Sequence, residues 1–339
     1  MGGKSKIEWT EASWNPVRGC SIVSEGCRNC YAMRQAHRSN RPGGAYEGLT
    51  RVGAHGPTWT GDVRFVPELL EYPLQLKKPH RIFVNSMSDL FHEKVPDQQI
   101  TDIFGIMALA HWHTFQILTK RPERMQSYLA RGDHGIIRQF EAIQRGGGIG
   151  PRRMFRALDV KRRDRIGWKW PLPNVWLGVS VEDQKTADDR IRTLFSTQAA
   201  VRWISAEPLL GPVDLDEFVG GCKDPNCTIH DGSCRGLDWV VVGGESGPHA
   251  RPMHPDWARS IRDQCKSAGV AFFFKQWGEW GETARLGFGD SPNAPTHTFQ
   301  TGLVETYGGP VPAGIEMRRV GKKTAGRLLD GREWSQYPA

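Results

Sequence analysis

The sequence predicts an α/β fold on a parallel sheet, a partial (β/α)6-type TIM barrel with insertions. Three observations predict it. Six short apolar runs, rich in β-branched and aromatic residues, recur along the chain. Each run ends in a polar cluster, and segments of helical period lie between them. Near-continuous apolar runs mark strands buried on both faces. Strand alternating with helix gives right-handed β/α units, whose chemistry collects at the C-terminal strand ends.

The elements follow in order. Residues 1–19 are polar, carry Trp9 and Trp14, and lead into a loop with Cys20, Cys27 and Cys30, spaced C-x6-C-x2-C. Ala32 to His37 reads as helix, and residues 39–62, rich in Gly and Pro, as loop. The first strand, Arg81 to Asn85, runs into Ser86, Met87, Ser88 and Asp89. The second, Thr114 to Leu118, runs into Thr119, Lys120, Arg121 and Pro122, and the third, Val175 to Val179, into Ser180, Val181 and Glu182. The fourth, Val201 to Ile204, ends in Ser205, Ala206, Glu207 and Pro208. The fifth, Trp239 to Val242, ends in Gly243, Gly244, Glu245 and Ser246, and the sixth, Val270 to Phe274, in Lys275, Gln276 and Trp277. Helical period is clearest in Ile100 to Ala110, Asp183 to Leu194 and Pro255 to Ala268. With a strand beside the cysteine loop the count reaches six or seven units, short of a closed eight. The barrel is thus expected over residues 1–280, with a C-terminal extension over 281–339.

Two insertions interrupt the repeat. Residues 145–170 contain nine basic side chains against two acidic ones, interleaved with Phe155, Trp168 and Trp170. Cations mixed with rings suit phosphate neutralisation with base stacking. Arg152, Arg153, Arg162, Arg163 and Trp168 are therefore the candidate nucleic-acid contacts. The competing reading is a solvated loop. Residues 219–236 hold Cys222, Cys227, His230 and Cys234, three thiols and an imidazole that suit tetrahedral zinc in a segment too small for its own core. An auxiliary cluster, or no metal, are the other readings there. Cys265 lies in a helical stretch and reads as a plain buried thiol.

Composition narrows the function classes. The net charge of +8 favours a polyanionic partner, though where the charge sits matters more. Seven cysteines in C-x-x-C-like spacings suit metal binding in a reducing, cytoplasmic compartment better than a disulfide scaffold. The first residues lack an apolar signal core, Lys6 breaks a myristoylation pattern, and no apolar run is long enough to span a membrane. Gly243 to Gly247 lacks the Lys of a P-loop, and Pro248 replaces the second Gly of a nucleophile elbow.

Three thiolates on one loop can grip a soft metal or an iron–sulfur cluster. A [4Fe–4S] cluster on three cysteines keeps one iron open to a substrate or cofactor. Structural zinc needs a fourth ligand, for which His37 or a distant cysteine could serve.

The loop resembles the three-cysteine signature of radical S-adenosylmethionine (SAM) enzymes. It keeps their C-x2-C half, with a longer first gap and with Tyr31 after the last cysteine. More closely, the chain resembles a radical-SAM-like family of phage and bacterial proteins of unassigned function. The residues that carry the likeness are Trp14-Asn15-Pro16-Val17, Gly19-Cys20, Gly26-Cys27, Cys30-Tyr31-Ala32, Asn85 to Phe91, Leu118 to Pro122, Gly243 to Gly247 and Lys275 to Gly278.

That resemblance implies a radical SAM enzyme in which Cys20, Cys27 and Cys30 hold a [4Fe–4S] cluster. It implies SAM on the open iron, cleaved after one-electron reduction to a 5′-deoxyadenosyl radical. It also implies an electron donor such as a flavodoxin or ferredoxin. Ser86, Ser88 and Asp89 would then take the methionine amino group of SAM. Ser180 and Glu182 would take its ribose, and Lys120 or Arg121 a carboxylate or phosphate. Ser205, Glu207, Glu245 and Lys275 remain for substrate or adenine, with Glu245, Lys275 and Glu207 as the catalytic candidates. Each also has a plainer reading as a strand terminator or helix cap. The expected reaction is modification or repair of a nucleic acid or nucleotide; the alternative is a non-catalytic, zinc-stabilised nucleic-acid-binding protein.

Overall fold

A computed structural model describes residues 3–54, 56–130, 170–221, 236–285, 294–306 and 309–339. Residues 145–169 and Cys222, Cys227, His230 and Cys234 lie outside the described residues. So do Arg152, Arg153, Arg162, Arg163 and Trp168.

The strands, in chain order, are β1 Gly3–Lys4, β2 Ala12–Trp14, β3 Val17–Arg18, β4 Thr50–Gly53, β5 Gly56–Trp59, β6 Arg64–Phe65, β7 Arg81–Val84 and β8 Thr114–Thr119. They continue as β9 Val175–Val181, β10 Val201–Ala206, β11 Trp239–Gly243, β12 Ala271–Gln276, β13 Trp280–Glu282, β14 Thr296–Thr306 and β15 Gly309–Arg319. The main sheet has the order β1-β2-β7-β8-β9-β10-β11-β12. Strands β2 to β12 within it pair in parallel, and β1 runs antiparallel at one edge. The result is mixed α/β, a curled parallel half-barrel of seven strands. All six apolar runs form strands, and β2 is the strand beside the cysteine loop.

Alternation along the strands splits the core in two. One set of side chains (Ile82, Val84, Phe115, Ile117, Leu177, Val179, Ile204, Val240, Val242, Phe272, Phe274) packs in a large cluster with the helices. The other set (Phe83, Trp203, Trp239, Val241, Phe273) forms a small aromatic cluster with Trp9, and Trp176, Leu118 and Tyr337 lean on it. Several of the thirteen tryptophans therefore fill the concave face of the sheet. Gly178 stands opposite Trp203 in the β9–β10 register, and a Cβ there would lie 2.4 Å from the indole.

The described α-helices are α1 Tyr31–His37, α2 Tyr72–Gln75, α3 Asp97–Leu109, α4 Pro122–Leu129, α5 Gln184–Phe195, α6 Asp216–Val219, α7 Pro255–Ala268 and α8 Lys322–Ala325. Local chemistry sets the ends of the long ones. Asp183 and Thr186 form a capping box at the start of α5. Pro255 opens α7, and Gly269, at φ 70°, ends it in the left-handed region. Cys265 is buried in α7, and burial pushes its thiol up to about 12.

Among the described residues no strand pairing joins the β1 and β12 edges of the sheet. The C-terminal residues pack against the β12 edge. Ser335 bridges to Phe273, Gln336 exchanges backbone and side-chain hydrogen bonds with Phe272, and its carbonyl accepts from Trp239 Nε1 at 2.8 Å. The tail thus covers the β12 edge, which would otherwise present open backbone groups. The Arg81 guanidinium lies 4.2 Å from the Tyr337 ring and joins this tail to β7.

Replacing Gly178 with Ala forces the Trp203 indole to move. The expected cost is about 1–3 kcal/mol for overpacking, read as a lower urea midpoint with unchanged slope.

Candidate functional site

A cavity of about 420 Å³ opens at the C-terminal ends of the parallel strands. Small-molecule sites run from roughly 300 to 1,000 Å³. Its lining brings together Cys20, Cys27 and Cys30 from the loop with Ser86, Ser88, Asp89, Lys120, Arg121, Ser180, Ser205, Glu207, Glu245 and Lys275 from the strand ends. The polar clusters that the sequence placed after six separate strands thus converge on one space.

The loop from Gly19 to Cys30 has almost no regular structure, a single 3-10 turn at Glu25–Cys27. Gly19 is required at its start. Its φ is +88°, and a Cβ would lie 2.2 Å from the Asp62 carbonyl oxygen. Three strand ends then hold the loop from the barrel side. Ser21 Oγ meets Arg121 Nη2 at 2.7 Å, and His92 Nε2 lies 2.9 Å from the same hydroxyl. Ser24 Oγ donates to Glu182 at 2.9 Å. Asn29 Nδ2 donates to Glu245 at 3.0 Å, while Arg251 binds both Glu245 oxygens and the Glu25 carbonyl.

Two of the three thiols are shifted upward. Burial pushes Cys20 up to about 12, the Asp89 carboxylate adds to it, Arg121 opposes, and Cys27 and Cys30 raise it further. Burial also raises Cys30, against hydrogen bonds to the backbone at Ala32 and Met33, and Cys27 adds to the rise. Each of two sulfurs keeps a local partner: Cys20 Sγ lies 3.5 Å from the Ser21 carbonyl and Cys27 Sγ 3.8 Å from Ser24 Oγ. Among the described residues no group of three or more His, Cys, Asp or Glu side chains has ready-made metal-ligand spacing. The donor chemistry nevertheless fits a soft centre: three thiols on one cavity wall, with Arg121 Nη1 3.9 Å from Cys20.

Several candidate residues have hydrogen-bond partners within the chain. Asp89 accepts from Phe91 N, both ways from Thr119 Oγ1, from Lys120 N and from Arg121 Nη1. A carboxylate so engaged has little capacity left for an ammonium group. Ser88 Oγ donates to the Val17 carbonyl, Ser86 Oγ to Asn15, and Ser180 Oγ to the Glu207 carbonyl. Glu182, 1% exposed, is paired with Lys120 and Arg190. Burial pushes its carboxyl up, but the two cations and Ser24 more than offset this and hold it below the ordinary range. Glu207 takes two bonds from Lys275 Nζ at 2.8 Å each and one from Gln276 Nε2. His37, the spare ligand of the zinc reading, instead lies 3.0 Å from Thr50 Oγ1.

Sequence reasoning missed Asn29, Arg190 and Arg251 altogether. Asn29 lies 216 residues from its partner Glu245, so no local spacing betrays it, whereas Arg190 and Arg251 follow Glu182 and Glu245 by only 8 and 6 residues, and it is the folding of the chain beyond each strand end that turns them back onto the carboxylates.

These features define a half-barrel α/β protein with a three-thiol cavity at its strand ends. The chain belongs to the DUF5131 family, proteins of unknown function, whose family model matches residues 4–338. No curated protein matches it. Among solved structures, a mutant spore photoproduct lyase with bound AdoMet and dinucleoside spore photoproduct is 8% identical, with TM-score 0.38, over 94% of this chain and 71% of that one. A spore photoproduct lyase complexed with the dinucleoside is 9% identical, also at TM-score 0.38, over 98% and 74%. No described helix is long and apolar enough to cross a membrane.

Burial raises the Glu245 carboxyl, but bonds from Arg251 and Asn29 leave it below its ordinary value. Its pairing therefore stabilises the fold above the unfolded carboxyl's pKa, and the gain disappears as pH falls through the depressed folded value. Glu245→Gln should cost about 1–3 kcal/mol at pH 7. In urea titrations across pH, the gap from wild type should close in acid.

Proposed function

We propose that this protein is a radical-SAM-like enzyme in which Cys20, Cys27 and Cys30 hold a [4Fe–4S] cluster, acting on a nucleic acid or nucleotide. The observation that carries this reading is the placement of three thiols, and among the described residues no others, on one wall of a strand-end cavity. A structural metal would sit away from such a space, with its ligands facing only each other. The resemblance of the cysteine loop and strand-end motifs to the radical-SAM-like family points the same way.

When bound, the cluster and SAM would supply a 5′-deoxyadenosyl radical that abstracts a hydrogen atom from the substrate. The chain's own part is to position and shield. Arg121 and Lys120 offset negative charge beside Cys20 and Cys30. Ser24, Asn29 and Ser21 tie the loop to strand ends that the sheet already holds. Lys275 and Glu207 stand in the cavity lining as an ion pair, with Ser205 buried beside the β10 end. Of the three catalytic candidates, Lys275 and Glu207 keep that assignment, and Glu245 is assigned to loop positioning. The nucleic-acid clause also draws on the basic insertion, and an electron donor of the flavodoxin or ferredoxin type completes the scheme. Zinc at Cys222, Cys227, His230 and Cys234 remains part of the proposal.

Anaerobic purification provides the test. The expected product is a brown protein with about four irons at the three-cysteine site that converts SAM to 5′-deoxyadenosine on reduction. Alanine at any of the three cysteines should abolish both. A colourless zinc protein, inert to SAM when reduced, would contradict the assignment and favour the non-catalytic reading.

A further inference from the structure

Of the three thiols at the cavity, Cys20 stands beside a buried cation. Arg121 lies between the end of β8 and the start of α4 and is 9% exposed. A guanidinium carries five N–H donors in a rigid, always charged fork. In Arg121 all of them have acceptors. Nε donates to Glu93 Oε2 at 3.0 Å. Nη1 donates to Asp89 Oδ2 at 3.0 Å and lies 3.9 Å from Cys20 Sγ. Nη2 donates to Ser21 Oγ at 2.7 Å and lies 3.5 Å from the Ser21 carbonyl oxygen.

The fork is fixed from its other side. Asp89 is buried and also accepts from Phe91 N, Thr119 Oγ1 and Lys120 N. His92 is buried too, and its Nε2 lies 2.9 Å from Ser21 Oγ. Arg121 cannot turn away from Cys20 without breaking its bond to the Asp89 carboxylate. The neighbouring sulfur is set differently. Cys27 Sγ has the Ser24 hydroxyl at 3.8 Å, and the Lys120 ammonium is paired with Glu182.

One-electron reduction of an iron–sulfur centre adds a negative charge to it. A fixed cation beside a ligand sulfur favours the reduced state, and a fixed anion opposes it. Net charge and hydrogen bonds to the sulfurs are among the factors that set the potential. Water screens such effects at exposed groups and far less at buried ones.

We propose that Arg121 is a positioning residue that sets the reduction potential of the centre at Cys20, Cys27 and Cys30, with Asp89 as its counterweight. Arg121 favours the reduced state through its contact with Cys20. Asp89 holds the guanidinium in place and limits the positive charge that the sulfur meets. The inference rests on the proposed function in taking a cluster at these thiols, and goes beyond it in assigning the ease of reduction to one side chain.

Potentiometric titration of the anaerobically reconstituted full chain, read by electron paramagnetic resonance, tests it. Arg121→Gln keeps an amide donor but removes the charge. It should make the centre roughly tenfold harder to reduce, a midpoint lower by ~59 mV for one electron. Asp89→Asn should move the midpoint the opposite way. Both changes break into the same hydrogen-bond network, so a merely structural role would not separate them by sign. Glu93→Gln, at a side chain 60% exposed, guards against misfolding of the buried variants. It should make reduction about twofold easier, a smaller effect because water screens the carboxylate. An unmoved midpoint in Arg121→Gln, shifts of one sign in Arg121→Gln and Asp89→Asn, or a midpoint in Glu93→Gln that stays put or falls would each overturn the role of Arg121. With a cluster present in the wild type, those results leave the proposed function standing. A wild-type chain that takes up no iron would sink both.

Discussion

The cysteine loop depends on polar ties to strand ends far away in the chain. A twelve-residue segment with one 3-10 turn cannot fix three thiols by its own hydrogen bonds. Ser21, Ser24 and Asn29 fix it instead, each bonded to a group that terminates a different parallel strand. Those groups sit in a low-dielectric setting where an unpaired carboxylate would be costly. Arg121, Arg190 and Arg251 therefore accompany Asp89, Glu182 and Glu245. The ion pairs let the strand ends carry charge, and the charge in turn anchors the loop.

The curled sheet explains why a cavity exists at all. Its concave face is filled low down by Trp9, Trp203, Trp239 and Phe273, with the C-terminal tail against the β12 edge. Trp9 belongs both to this packed layer and to the cavity lining, so the aromatic cluster forms the floor of the site. Gly178 makes room for Trp203 at the centre of that layer.

Much of this was legible in the residues. Apolar runs such as Val175–Val181 and Trp239–Gly243 are buried along nearly their whole length, and a continuous run reports that directly. The three cysteines and the strand-end clusters also announced one site, because parallel α/β sheets put ligand-contacting residues at those ends. The roles within the site were not legible. Ser88 and Asp89 stand out in sequence only as polar residues after a strand, and only the fold reveals their bonds to Val17 and Thr119. The β14–β15 hairpin also went unread, since Gly302, Gly308, Gly309, Pro310 and Pro312 mask strand periodicity.

The central claim is that the three thiols support a centre with one position open to SAM. Electron paramagnetic resonance of the reduced, reconstituted protein, with and without SAM, tests this most directly. A [4Fe–4S] signal whose g-values shift on adding SAM is the predicted result. A cluster signal indifferent to SAM, or a metal centre with no such signal, would contradict it.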